Sequence, residues 1–120
     1  MNDNIEKKDF GYEITWMATD SYVCKILVFD QCNKKTPIMF HKETTKSWFV
    51  NSGKFRISWI DTKDGKVYEQ EIGEGAVFHA PPCMPCGLES LSNEGSISQV
   101  SDRNDPKDVF LLSSQGQIKG

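Results

Sequence analysis

Apolar and polar positions alternate with a period of two along most of the chain, and no segment sustains the three-to-four-residue spacing of an amphipathic helix. Lys54–Trp59 is the cleanest case. Phe55, Ile57 and Trp59 fall on one face, and Lys54, Arg56 and Ser58 on the other. Tyr22–Phe29 is rich in β-branched and aromatic residues and ends in the turn-forming run Asp30–Asn33. Further strands are predicted at Ile38–His41, Ser47–Val50, Lys66–Ile72, Ala76–Ala80 and Ser96–Val100, with a short one at Val109–Leu112. The breaks between them carry turn chemistry: Asn51-Ser-Gly53, Asp61–Gly65, Gly73-Glu-Gly75, Pro81-Pro82 and Asn93-Glu-Gly95. About eight short strands with turns every ~8–12 residues specify an antiparallel sandwich or barrel, and at this size a jelly roll.

Length and composition narrow the setting. The 120 residues suit one domain and not two independent cores. We read 1–120 as a single domain, with 1–7 as a flexible N-terminus and 113–120 as a tail. At 38% hydrophobic and 26% charged the chain has an ordinary globular composition. A net charge of −3 gives no electrostatic basis for nucleic-acid or anionic-membrane partners. No apolar run approaches the roughly 18 residues of a membrane span, and the polar N-terminus has no hydrophobic signal core. A cytoplasmic location is expected.

The four cysteines, Cys24, Cys32, Cys83 and Cys86, are therefore expected to be reduced, buried and inert. Cys83-Met-Pro-Cys86 has C-x-x-C spacing, but Gly87-Leu-Glu-Ser90 is a poor helix to follow it. The seven residues between Cys24 and Cys32 do not suit a four-cysteine zinc site. With only two histidines, His41 and His79, any three-histidine metal site is excluded.

Several segments resemble the single-domain cupins related to mannose-6-phosphate isomerase. Lys8-Asp-Phe-Gly-Tyr-Glu13 is similar to the family's K-P-W-G-Y-E opening, and Tyr22–Leu27 to its Y-x-G-K-x-L. Met39-Phe-His41, Lys46 and Trp48–Gly53 fall on the first cupin motif, and Gly73–Pro82 through Pro85-Cys86 and Leu88-Glu89 on the second. The likeness extends over residues 8–117 and implies a cupin-type jelly-roll β-barrel (double-stranded β-helix).

The resemblance also implies where a metal would be held. The family's ligands, a Gln or His, a His two residues on, a Glu five further and a His in the second motif, map onto Met39, His41, Lys46 and Cys86. Only His41 is retained. The carboxylate has become an ammonium, which repels a divalent cation and attracts an anion. The family's late arginine, linked to isomerase activity, maps onto Phe110. No cofactor is expected by this route, with a divalent metal or a soft Met39–His41–Cys86 site for Cu(I) or zinc as the remaining metal possibility. His41 and Cys86 are the metal candidates.

The expected ligand-binding set is Met39, His41, Lys46, His79 and Cys86. His41 is either a packed histidine or a ligand contact. His79 is expected inward, lining the pocket, and Lys46 either solvated or facing it. Trp48, Phe49 and Trp59 are expected in the core, and Glu43 or Glu89 is a candidate carboxylate for a histidine. The leading function is a non-metal cupin binding a small anionic ligand of sugar-phosphate type. The alternatives are a sugar-phosphate isomerase or epimerase-like enzyme, and a structural or assembly cupin. A homodimer is expected from cupins in general.

Overall fold

The computed structural model describes residues 4–112 and the strand Ile118–Lys119. In chain order the strands are β1 (Ile5–Lys8), β2 (Gly11–Ala18), β3 (Val23–Phe29), β4 (Met39–Phe40), β5 (Lys46–Ser52) and β6 (Phe55–Ile60). They continue with β7 (Val67–Ile72), β8 (Val77–Ala80), β9 (Cys86–Ser90), β10 (Gly95–Ser101), β11 (Phe110–Leu112) and β12 (Ile118–Lys119).

Every pairing is antiparallel. One sheet runs β1-β2-β3-β10-β5-β8 and the other β12-β11-β4-β9-β6-β7. The topology follows from how these pairs nest. β6 and β7 form a hairpin, and around it β5 pairs β8, β4 pairs β9 and β3 pairs β10. Successive pairs fall in alternate sheets. A long hairpin rolled up in this way is a jelly roll, as the alternation of the sequence predicts.

The eight predicted strands are all present within a residue or two of their expected ends. Four were not anticipated. Residues 5–8, of which 5–7 are expected in a flexible N-terminus, pair along their length with 11–14 of β2, so the edge ladder orders them despite their polar composition. β2 itself has a bulge between Thr15 and Met17 that interrupts its alternation. β9 reads as an irregular Cys-Gly-Leu-Glu-Ser, and a Cβ at Gly87 would lie 2.7 Å from Ile38 Cδ1, which would have to turn aside. β12 lies in the expected tail and pairs with β11. The expected tails at 1–3, 113–117 and 120 lie outside the described residues.

The core lies between the sheets and fills one end of the barrel. Phe29, Val50, Phe55, Ile57 and Ile97 are fully buried. The Phe29 ring stacks on Phe10 at 4.5 Å and meets Phe55 edge-on at 4.9 Å, joining the two sheets. Along three of the strands the inward positions change character towards the other end. Leu27 precedes Phe29, Lys46 and Trp48 precede Val50, and Gln99 follows Ile97. Gly53, at φ +86°, makes the β5–β6 turn with a Cβ position only 2.6 Å from the Glu94 carbonyl oxygen.

Candidate functional site

The less hydrophobic end of the barrel encloses a cavity of about 410 Å³. Strand periodicity decides what faces it. In β5, Lys46, Trp48 and Val50 point inward and are buried, while Ser47, Phe49 and Asn51 point outward. Lys46 is therefore carried inside by the same alternation that buries Trp48. Cross-strand register then sets Lys25 and Trp48 on either side of Gln99, one row deep in the sheet.

Lys46 is 4% exposed. Its Nζ lies 4.8 Å above the Trp48 ring. Among the described residues no carboxylate pairs with it, whereas Lys25 pairs with Glu13 at 3.2 Å and Lys8 with Glu6 at 2.6 Å. Among those residues too, no side-chain nitrogen or oxygen is sealed from solvent without a partner, so the unpartnered ammonium opens onto the cavity. Burial pushes its pKa down, against the pull of the Cys86 and Glu13 charges and with the help of Lys25.

His41 follows β4. Its Nδ1 donates to the backbone carbonyl of Asp108, which leaves Nε2 as the lone-pair atom when the ring is neutral. Burial, opposed by that hydrogen bond and reinforced by the Lys46 charge, lowers the His41 pKa and favours the neutral ring. The Asp108 carboxylate is occupied elsewhere. It accepts from the Lys42, Glu43 and Thr44 amides at 2.7, 3.0 and 3.0 Å and from the Thr44 hydroxyl at 2.8 Å. Burial would raise its pKa, but these donors outweigh it and hold the carboxyl at about 2. The loop that carries His41 is thus tied to the 105–109 loop at one side chain. Sequence reasoning did not single Asp108 out as a site residue. Its signal, one of three acids in the polar run 101–108, is too common to stand out.

The expected ligand-binding set divides. Met39, His41 and Lys46 converge on the cavity, with Trp48, Gln99, Leu27 and Lys25 also in its wall. Cys86 does not line it. The thiol is buried in the core beside Met39, its cross-strand partner, and burial raises its pKa despite the Lys46 charge. His79 is a correction: it is exposed on the outer face, with Nδ1 2.6 Å from Ser47 Oγ. The reason is Phe78, whose ring packs at 5.8 Å from Trp48 and 5.4 Å from Trp59 and so takes the inward position.

Other expectations change for the same reason. Trp48 is buried and Trp59 packs on the core, but Phe49, adjacent to Trp48 in an extended strand, must face the other way and is 46% exposed. Glu43 pairs with Arg103 at 3.4 Å and Glu89 with Arg56 at 3.0 Å, so neither carboxylate orients a histidine. All four cysteines are free, yet only Cys24 and Cys86 are buried; Cys83 is exposed, at φ 70°. Phe110 stacks on Phe40 at 5.2 Å with the Lys42 ammonium 4.7 Å from its ring centroid.

These side chains do not fit a resident divalent metal. Among the described residues no three His, Cys, Asp or Glu side chains converge. The remaining candidate donors, Met39 and Cys86, are a thioether and a neutral thiol buried in the core, and the Lys46 ammonium shares the cavity wall with Met39 and His41.

No protein-family profile matches the chain, and no curated protein matches it. Solved structures do. CapF, a capsular polysaccharide assembling protein from Staphylococcus aureus, superposes with a TM-score of 0.80 at 17% identity over 91% of this chain and 34% of its own. Oxalate decarboxylase from Bacillus subtilis gives 0.77 at 17% identity over 90% and 29%. The chain has the cupin jelly-roll fold. It spans about a third of the length of these neighbours, and at such identity the likeness concerns the fold alone. Among the described residues no helix is long and apolar enough to cross a membrane.

Proposed function

We propose that this cupin works without a resident metal and binds a small organic anion in its barrel cavity, with Lys46 as the counter-charge. The observation that carries the reading is the Lys46 ammonium itself: 4% exposed, without a carboxylate partner among the described residues, and open to the cavity. A buried charge is strongly unfavourable unless paired, so an unpartnered one at a cavity wall marks a place where a ligand supplies the missing charge.

The rest of the wall agrees with an anion. Three lysines, Lys8, Lys25 and Lys46, face the cavity, and with Lys8 paired to Glu6 and Lys25 to Glu13, Lys46 is the one among them left for an anion. Gln99 uses its Oε1 to accept from Trp48 Nε1 at 2.8 Å, which leaves its amide hydrogens for a ligand. The volume of about 410 Å³ lies within the range of small-molecule sites and accommodates a monosaccharide phosphate, the class the family resemblance suggests.

A thermal-shift panel of inorganic phosphate, sugar phosphates, nucleotide sugars and matching neutral sugars tests the reading. Anions are expected to raise Tm in the unmodified protein, by the equivalent of about 2.7 kcal/mol at a hundredfold excess over Kd, and not in Lys46→Met. Equal shifts from neutral sugars, an unchanged response in Lys46→Met, or no response to any anion would overturn it.

A further inference from the structure

Lys46 is also a nucleophile in waiting. We infer that its Nζ captures a small aldehyde or ketone carrying an anionic group, as an imine formed inside the barrel cavity. This rests on the reading of the cavity as an anion site and assigns the chemical class of its ligand.

The geometry sets the conditions such a reaction needs. The amine is 4% exposed yet opens onto a cavity large enough for a carbonyl compound. No carboxylate among the described residues clamps it as an ammonium, so its nitrogen is not committed to an ion pair. The charged and titratable groups around it come from four elements: Cys86 on β9, Glu13 on β2, Lys25 on β3 and His41 after β4. Glu13 is already neutralised by Lys25, and the Cys86 thiol is held protonated by burial. Burial outweighs what pull the Cys86 and Glu13 charges exert and lowers the affinity of Nζ for a proton. A desolvated, unpaired lysine is the form in which an amine attacks carbonyl carbon.

The step balances without an oxidant or a second substrate. The neutral Nζ adds to the carbonyl carbon, the π pair moves to oxygen, and nitrogen releases one proton while oxygen gains one. The resulting carbinolamine loses its hydroxyl as water as the C=N bond forms. His41 lines the same cavity with its Nδ1 proton held by the Asp108 carbonyl, so its Nε2 is the group that takes and returns the proton. Once protonated, the imine nitrogen keeps the positive charge that faces the ligand's anionic end, since Lys8 and Lys25, which also line the cavity, are paired with Glu6 and Glu13.

Glyoxylate, a two-carbon aldehyde with a carboxylate, is the probe. The folded protein is incubated with it and sodium cyanoborohydride at neutral pH, and each lysine's adduct is quantified by peptide mass mapping. Lys46 is expected to label several-fold faster than the exposed Lys54 and Lys63, because a desolvated, unpaired amine is more often present as the free base. Urea-unfolded protein should lose the preference. Lys46→Arg should retain the phosphate-induced thermal shift while giving no site adduct, and His41→Gln should slow labelling at Lys46 alone. Labelling of Lys46 no faster than of surface lysines overturns the imine. If the phosphate shift persists in that case, the anion site stands and only the covalent step falls; if the shift is missing too, both fall.

Discussion

Lys46 is held at a position that a hydrophobic residue would fill with less strain on the fold. A buried charge without a partner destabilises the native state, so Lys46→Met is expected to stabilise the protein by about 1–3 kcal/mol while abolishing the anion response. Calorimetric Tm, measured with and without phosphate, checks both halves. The pH dependence has a definite sign. The folded-state pKa of Lys46 lies below its ordinary 10.5, so the folded protein binds fewer protons than the unfolded chain between those two values. Stability therefore rises with pH across that window. The gap between the unmodified protein and Lys46→Met should narrow from neutral pH towards about 10, as urea melts at stepped pH would show.

At the scale of elements, the link between the 42–44 segment and Asp108 holds His41 in place. Asp108→Ala leaves three backbone amides without their acceptor and is expected to cost about 2–3 kcal/mol, measurable by urea denaturation. The Asp108 carboxyl is depressed from 3.8 to about 2. Its contribution is thus complete above about pH 4 and disappears as pH falls to about 2. Acid melts of Asp108→Asn should be flatter over that range than those of the unmodified protein.

How far elements and site could be read in advance depended on periodicity. The strict alternation of Lys54–Trp59 predicts both β6 and its buried face, and the chain places Phe55 and Ile57 there. The sequence leaves Lys46, outside the predicted strand Ser47–Val50, either solvated or facing the pocket; β5 begins one residue earlier, and its alternation with Trp48 and Val50 puts Lys46 inside. The same rule does not settle the phase of β8: the sequence expectation puts His79 inward, although Phe78 suits that position equally. Only the rings of Trp48 and Trp59, brought from two other strands, decide it. β9 escaped for lack of alternation, and Asp108 because its partners lie 64 to 66 residues earlier in the chain.

Across the whole molecule, the nested pairing of β3 with β10, β4 with β9, β5 with β8 and β6 with β7 separates two functions along the barrel. One end is packed with Phe29, Phe55, Ile57 and Ile97, and it supplies rigidity. Phe55→Ala is expected to cost about 3–5 kcal/mol there without altering anion selectivity, provided the measurement is made below the lowered Tm. The other end holds the cavity with Lys46 in its wall, and the proposed reading needs no metal there. Dialysis against a chelator should accordingly leave both Tm and the anion response unchanged. Loss of either would show that a metal holds the site.

The central claim is that Lys46 is an unpaired, buried ammonium whose partner is a ligand. NMR titration of the Lys46 side-chain nitrogen, in the free protein and with saturating phosphate, addresses it most directly. The account predicts a pKa below 10.5 in the free protein and a rise when phosphate binds, with the remaining lysines unmoved. An ordinary lysine pKa in the free protein, unchanged by phosphate, would contradict it.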